Sequence, residues 1–247
     1  CDRVSVSNLG QSDLELWRAM QTVTPAFHSP LLSPDFVRAV AAVRPDTEVA
    51  IFKRRGRTIG FLPFHPRPGR FARPAGAPFA DYSALLTLPE PHFTAAEALR
   101  LAGIDQYQAI GLVDPYHVFG PVEGEDDEAF AIDLSRDGPA NNANKKLEKN
   151  IRRLRRHAEE AHGEVRFVMG DRDPDHFELM LRLKREQTKQ TGLHDFLAPV
   201  WVQQLLRNLF EAPKDGLHGN LITLMAGDTP LLFHFGARLG DRGNPWI

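Results

Sequence analysis

The sequence predicts an α/β protein made of two similar halves, and three observations support this fold class. The order strand, helix, helix, hairpin occurs near the N-terminus and again after residue 163. Two segments of the first half resemble two segments of the second in the same order, SPDFVRAV with APVWVQQL and IFKRRGRTIGFLPF with ITLMAGDTPLLFHF. The composition, 42% hydrophobic and 25% charged residues, predicts a packed core and excludes global disorder.

The first half begins with a short alternating strand, VSV, and a helix that Ser12 or Asp13 is expected to cap. Ser33 is expected to cap a second helix, because a proline follows it at the first helical position. Two apolar segments around Gly56 predict a hairpin. The segment 67–78 is rich in Pro and Gly and predicts an irregular loop. A strand, a helix and a strand follow in DYSALLTL, FTAAEALRLAG and YQAIGLV.

The second half begins with a long basic helix that runs from Lys145 to His162. Its apolar residues recur at steps of four and three, which is typical of one helical face: Leu147, Ile151, Leu154, Ala158 and Ala161. The strand EVRFVMG, two helices and a second hairpin follow, so we divide the chain into domains 1–135 and 136–247. The first half continues past its hairpin, whereas the sequence reaches Ile247 where the next strand of the second half is expected. We therefore expect the second sheet to be incomplete and the natural protein to continue.

Composition and motifs exclude several functional classes. The net charge of −2 provides no overall attraction to DNA, and the one cysteine, Cys1, provides neither a disulfide framework nor a cysteine zinc site. The ten histidines contain no HExxH motif, so we expect no catalytic metal. P-loop, Rossmann and GxSxG patterns are absent as well. No apolar stretch is long enough for a transmembrane helix or a signal peptide, which predicts a cytoplasmic protein.

Several segments together resemble a known family. The run KKLEKNIRRLRRHAEEAHGEVRF, the helix LKREQTKQTG, the segment DFLAPVWV and the hairpin end GDTPLLFHFGARLG are similar to acetyltransferases of the CelD/BcsL type, which are implicated in bacterial cellulose and exopolysaccharide synthesis. The upstream segments IGFLPFH and DYSALL fit the N-terminal half of that family. The resemblance implies tandem domains of the GCN5-related N-acetyltransferase (GNAT) fold, each a mixed central sheet flanked by helices, as in the FemABX peptidoglycan aminoacyltransferases.

The resemblance also implies an activity, the acyl-CoA-dependent transfer of an acetyl or similar acyl group to an amine or hydroxyl of a saccharide or saccharide precursor. In such folds acyl-CoA binds in a splay between two central strands, and its pyrophosphate binds the backbone amides of the loop that opens the next helix. In the second half this loop is expected beyond Ile247. In the first half Arg73, Gly76 and Ala77 look similar to such a loop, but Pro78 occupies its last position, which favours a plain surface loop.

Two alternatives stay open at this point. A FemABX-like transferase would use aminoacyl-tRNA as its donor and would bind RNA through the basic helix. A regulatory module without enzymatic activity would use the same helix to bind a nucleotide.

Three residues are candidate bases that would take the proton of the acceptor: Asp81, Glu186 and His234. Tyr82, next to Asp81, could orient a sugar through its hydroxyl, although a tyrosine that packs at the start of a strand is the commoner case. Glu186 lies on a helix whose polar face alone accounts for a carboxylate there, and histidines in strands more often have a structural role than a catalytic one.

The remaining candidates are predicted to bind the acceptor. The basic helix crowds seven cations into its first turns and would contact a nucleotide sugar, a lipid-linked saccharide or an anionic membrane surface. A solvated face partly neutralised by nearby carboxylates is the alternative. Contact with membrane-bound polysaccharide synthesis machinery at the inner membrane face is also expected, and no DNA partner is. The residues predicted to bind substrate, besides Tyr82, are Lys149, Arg152, Arg153, Arg156, Lys184, Gln187 and Asp195.

Overall fold

The computed structural model describes residues 1–122, 124–125, 128, 132 and 145–247. It confirms the mixed α/β class, with two sheets flanked by helices. The boundary predicted after residue 135 lies outside the described residues, as does part of the acidic segment 123–128.

The described residues of the first half form a six-stranded sheet with three α-helices. Its strands lie in the order β1-β2-β3-β4-β6, and β5 pairs with β3. All pairings are antiparallel except the parallel pair β4 and β6. The elements are β1 (Asp2–Ser5), α1 (Gln11–Val23), α2 (Pro34–Val43), β2 (Glu48–Arg54), β3 (Arg57–Arg67), β4 (Phe71–Pro74), β5 (Leu86–Thr87), α3 (Ala95–Leu101) and β6 (Gln106–Tyr107).

The starts of the two long helices in this half show one confirmed cap and one wrong prediction. The Ser33 hydroxyl accepts a hydrogen bond from the Phe36 amide at 3.0 Å, which confirms it as the cap of α2. In α1 the capping residue is Gly10, whose amide donates to the Asp13 carboxylate at 3.3 Å. Asp13 is therefore not the cap itself. It is the third residue of the helix, and its carboxylate accepts from the amide of the capping residue, as the acidic residue of a capping box does.

The prediction of an irregular loop over residues 67–78 is wrong for part of that segment, because β4 lies within it. Its partner β3 runs through two prolines, Pro63 and Pro66. The Pro63 carbonyl accepts from the Ala75 amide just past the end of β4, and the Pro66 carbonyl accepts from a guanidinium. Prolines are tolerated in a strand where their missing N–H faces no partner strand. The strands predicted in DYSALLTL and YQAIGLV are present but shorter than predicted, since β5 and β6 have two residues each.

The second half forms a four-stranded antiparallel sheet in the order β10-β9-β8-β7. A fourth strand was expected only beyond Ile247, and β10 corrects this, since Arg242–Pro245 already pairs with β9. The elements are α4 (Lys145–His162), β7 (Val165–Asp171), α5 (Pro174–Thr191), α6 (Val200–Glu211), β8 (His218–Ala226), β9 (Thr229–Leu239) and β10 (Arg242–Pro245).

The two halves follow the same order, strand, helix, helix and then three strands, with the same neighbours in each sheet. The alignment of residues predicted from the sequence differs by one position from the alignment of the two structures at two sites. Pro34 is the first residue of α2, whereas Pro199 precedes α6. Gly56 is the second residue of its two-residue turn, whereas Gly227 is the first residue of the equivalent turn. The likeness of the halves therefore lies in their order of elements more than in matched residues.

The halves share one hydrophobic cluster, which lies on the inner face of the second sheet and in which α2 packs against the equivalent helix α6. The ring of Trp246 lies 6.0 Å from that of Phe36 and 4.9 Å from that of Phe79, and the Arg44 guanidinium lies over the Trp201 ring at 5.1 Å. We call this contact region the junction. It also holds Asn244, which accepts a hydrogen bond from the Ser29 hydroxyl at 3.3 Å.

Candidate functional site

A groove of about 600 Å³ lies between α5, α6 and the segment that connects them. Its volume is within the range of small-molecule sites. The groove is lined by Glu178, Leu181, Arg182, Arg185, Glu186, Lys189, Leu193, Asp195, Gln203 and Arg207.

The groove follows from the amphipathic pattern of the two helices. On α5, the apolar residues Phe177, Met180 and Leu181 are buried in the shared cluster. The charged residues on the other side of this helix therefore face the groove. On α6, the buried apolar face leaves Gln203 and Arg207 on the side that faces α5. Only Leu181, 4% exposed, provides an apolar floor that belongs to the core.

Two ion pairs fix the walls of the groove. The Arg207 guanidinium binds Glu178 with two hydrogen bonds, Nε to Oε1 at 2.8 Å and Nη2 to Oε2 at 3.0 Å. Arg185 Nε donates to Asp195 Oδ2 at 2.9 Å, and the other oxygen of Asp195 accepts from the Leu197 amide at 3.1 Å. The Arg207–Glu178 pair is bidentate and has a defined geometry, whereas Arg185 binds Asp195 through Nε alone, so all four charges have partners within the walls.

Three charged side chains in the groove are left without partners. Arg182, Glu186 and Lys189 follow one another at steps of four and three residues, so they lie along one face of α5. The side chains of these three residues form no hydrogen bond or ion pair with the part of the chain that the structure describes. The groove therefore offers one carboxylate between two cations, an arrangement suited to an anionic ligand that also carries a proton to be removed.

Among the residues predicted from the sequence, Glu186 and Asp195 line this groove. Lys184 and Gln187 lie on the same helix outside the lining, half-buried and exposed respectively. Asp195 is held by Arg185, so its role in the structure is to support the wall.

The other two candidate bases lie elsewhere. Asp81 is at the junction, where its carboxylate accepts a hydrogen bond from the Asn244 amide at 3.1 Å. Partial burial raises the pKa of Asp81, and the hydrogen bond from Asn244 opposes that rise. Tyr82, beside it, is half-buried and packs against the hydrophobic clusters of the first half and the junction.

His234 lies on β9, between Phe233 and Phe235, which pack against the shared cluster. Because side chains alternate along a strand, His234 points to the opposite, outer face of the second sheet. The helices α5 and α6 pack on the inner face, so the structure does not bring His234, Glu186 and Asp81 into one site.

The four predicted substrate-binding residues of the basic helix lie on α4, outside the groove. Arg152 pairs with Glu148 at 3.2 Å, and Arg153 Nη2 donates to Asn150 at 3.0 Å. Lys149 and Arg156 are exposed, and α4 contains no buried residue at all. The helix is confirmed from Lys145 to His162, but its apolar side does not face a core.

Sequence reasoning missed the two groove cations Arg182 and Lys189, although their spacing around Glu186 was a usable signal. It also missed a buried cluster centred on Asp171, whose carboxylate accepts from the Thr223 hydroxyl at 2.6 Å and pairs with His176 Nδ1 at 2.8 Å. Burial would raise the pKa of Asp171, but the hydrogen bonds from Thr223, the Asp173 amide and His176 outweigh it and hold the pKa below its usual value. Its members come from β7, α5 and β8, so no local motif reveals it.

The described residues do not fit the pyrophosphate of acyl-CoA. In the first half, the amides after β4 are used internally, since Gly76 donates to His65 Nε2 at 2.9 Å and Pro78 has no N–H. Neighbouring amides are used in the same way, those of Ala75, Ala77, Phe79 and Ala80. In the second half, Trp246 and Ile247 follow β10, and both of their amides donate to the Phe235 carbonyl. We therefore place no acyl-CoA contact on these residues.

Among the described residues, no group of three or more His, Cys, Asp or Glu side chains is arranged to hold a metal ion. Nor does any helix in the described ranges combine the length and apolarity needed to cross a bilayer.

Comparison with known proteins gives one match. Residues 145–247 match the family model described as an acetyltransferase (GNAT) domain, from the first residue of α4 to the last residue of the sequence. This domain supports an acyltransferase activity, and GNAT domains use acyl-CoA as a co-substrate. Neither the search of curated proteins nor the search of solved structures found a match. The CelD/BcsL type stays a prediction.

Proposed function

We propose that the protein is an acyl-CoA-dependent N- or O-acyltransferase whose acceptor, a saccharide or saccharide precursor, binds in the groove between α5 and α6. One observation carries this proposal. Within the residues that match an acetyltransferase domain, an otherwise well-paired groove keeps a carboxylate and two cations without partners. Unpaired charges on one helical face are expected where a charged ligand completes them.

Each of the three unpaired side chains has a role in this reaction. Arg182 and Lys189 bind an anionic group of the acceptor, a phosphate or a carboxylate. Glu186, between them, takes the proton of the attacking amine or hydroxyl. Acyl-CoA supplies the acyl group: the acceptor nitrogen or oxygen bonds to the acyl carbon, the carbon–sulfur bond breaks, and CoA leaves as the thiol. The apolar side chains Leu181 and Leu193 contact the carbon faces of a sugar ring.

Glu186 is preferred over the two other candidate bases because of where they lie. The Asp81 carboxylate is engaged by Asn244 at the junction, and His234 is on the opposite face of the second sheet. A base has to come within hydrogen-bond reach of the proton that it removes. Of the three, only Glu186 borders the groove.

The reaction setting rests on the resemblance to CelD/BcsL-type proteins, which is the basis for placing it in exopolysaccharide or cellulose assembly. We infer that the acceptor is a nucleotide sugar or a lipid-linked saccharide, because both carry the phosphate that Arg182 and Lys189 would bind. The location that fits such acceptors is the cytoplasm, next to the membrane-bound synthesis machinery.

The test offers the protein labelled acetyl-CoA together with amino sugars, uronic acids and sugar phosphates, and measures label in the acceptor. We expect transfer to an anionic acceptor. E186Q should lower kcat about 100-fold with little change in KM, because it removes the base and keeps the shape. R182Q/K189Q should raise KM about tenfold with a smaller effect on kcat. D215N, at an exposed carboxylate between α6 and β8 outside the groove, is the matched control and should match the wild type.

Three results would contradict the proposal. Transfer from aminoacyl-tRNA with none from acetyl-CoA would favour the FemABX-like alternative. Nucleotide binding that is lost on replacement of Arg152 and Arg155, without any transfer, would favour a regulatory module. Full activity of E186Q would exclude Glu186 as the base.

A further inference from the structure

The apolar side of α4 is exposed, which is unusual for a helix with this pattern. Ile151 is 54% exposed and Leu154 is 51% exposed, and no residue of α4 is buried. These two residues and Ala158 follow one another at steps of three and four, so they lie along one side of the helix. We call this side the apolar stripe.

The opposite side of α4 is strongly cationic. At 100° per residue, five cations lie between about 100° and 200° from Ile151: Lys145, Lys149, Arg152, Arg153 and Arg156. The helix also carries three glutamates, of which Glu148 pairs with Arg152 and Glu159 pairs with Arg155. Cations therefore outnumber acidic residues on a helix that exposes both of its sides.

We propose that α4 lies in the surface of an anionic lipid bilayer, with the apolar stripe among the acyl chains and the cations at the lipid phosphates. A helix with Lys and Arg on its polar face and apolar residues on the other is the form that binds this interface. It is too polar to cross the bilayer, since no described helix meets that requirement. The inference goes beyond the proposed reaction and does not depend on it.

Charge and exposure together favour a bilayer over other occupants. A nucleic acid would engage the cations but would leave Ile151 and Leu154 in water. A second copy of α4 would cover the apolar stripe but would bring a second set of cations close to the first. An anionic bilayer satisfies both sides at once, because acyl chains cover the stripe and headgroup phosphates neutralise the cations.

The experiment is sedimentation of the protein with vesicles of phosphatidylcholine alone and with vesicles of equal parts phosphatidylcholine and phosphatidylglycerol. We expect binding to the anionic vesicles that weakens as salt is raised. R152Q/R156Q should weaken it about 30-fold, because each cation near an anionic surface contributes roughly a factor of five. I151E/L154E should abolish measurable binding. The matched control is V23E/L101E, which places the same two charges at exposed apolar residues of α1 and α3, 56% and 61% exposed, and should bind like the wild type.

A fluorescent reporter tests insertion directly, and circular dichroism confirms that each variant keeps its helix content. I151W should shift its emission to the blue on anionic vesicles, whereas R156W on the opposite side should not. Equal binding by neutral vesicles, or full binding by I151E/L154E, would overturn the proposal. So would a dimer that I151E/L154E dissociates in the absence of vesicles, or binding to a short RNA but not to anionic vesicles.

Discussion

The two sheets share one strand order but differ in what covers their outer faces. In the first half, α3 and the segment after it cover the outer face, so that Phe52 is 2% exposed and Phe64 is fully buried. In the second half, the outer face carries Phe167 and Met169 on β7, each 67% exposed, and Leu232 on β9, 52% exposed. Among the described residues, the second sheet is therefore buried mainly on its inner face, which packs against α5 and α6 and, through α6, meets α2 of the first half.

This difference explains why the junction matters for stability. The hydrophobic contribution scales with the apolar area removed from water, and for the second sheet this area lies on the side that faces the first half. The last residues of the sequence take part, because Trp246 packs against Phe36 and Phe79. The second half thus buries its apolar side chains mostly against its own helices α5 and α6, and the junction adds contacts with the first half.

The largest expected effect compares the two outer faces directly. F52A should lower the free energy of unfolding by about 3 to 5 kcal/mol, because it leaves a cavity in a packed cluster. F167A should change it by less than about 0.5 kcal/mol, because the side chain is already in water. Urea unfolding with an unchanged m value measures both. A cost above about 2 kcal/mol for F167A would show that the outer face of the second sheet is covered in solution.

A second comparison concerns two histidines, His65 in the first half, which is buried, and His234 in the second half, which is half-buried. It predicts that the stability of the protein depends on pH through His65. The His65 side chain is fully buried, and burial, with repulsion from Arg44, lowers its pKa from 6.5 to about 4. Because the unfolded chain binds this proton at a higher pH than the folded chain, stability is complete above pH 6.5 and falls as the pH drops toward 4. The loss should reach about 2 to 3 kcal/mol.

The measurement is the free energy of unfolding from pH 7 to pH 4 for the wild type and for H65Q. The glutamine oxygen replaces Nε2 as the acceptor for the Gly76 amide but does not titrate. We expect the pH dependence in this window to be reduced in H65Q and kept in H234Q, the matched control on the half-buried outer face. If the free energy of unfolding of H65Q depended on pH as strongly as that of the wild type, other titratable groups would cause the pH dependence.

The elements predicted best are those with a strong local pattern. The α4 helix has the predicted bounds, Ser33 caps α2, and both hairpins are present, because periodicity, caps and turns act over a few residues. The strand β4 was missed because the prolines and glycines in and around it suggest a loop, and only its pairing with β3 shows that the segment is extended.

The site was predicted only in part, for a related reason. Glu186 and Asp195 stood out as charged residues on or beside a helix, but the partner that holds Asp195 and the contact of α5 with α6 depend on tertiary packing. The Asp171 cluster joins residues 52 positions apart and has no local signature. In α4, the spacing predicted an apolar face correctly, but spacing alone does not reveal what covers such a face.

The smallest expected effect compares the starts of the equivalent helices α2 and α6. The Ser33 hydroxyl caps α2, whereas Pro199 at the start of α6 makes no side-chain cap bond. S33A should lower the free energy of unfolding by about 1 kcal/mol, and P199S should raise it by up to about 1 kcal/mol if serine supplies the missing acceptor. Thermal and urea unfolding measure both shifts. Destabilisation by P199S would mean that the fixed backbone angle of Pro199 stabilises α6 more than a cap would, because proline also restricts the unfolded chain.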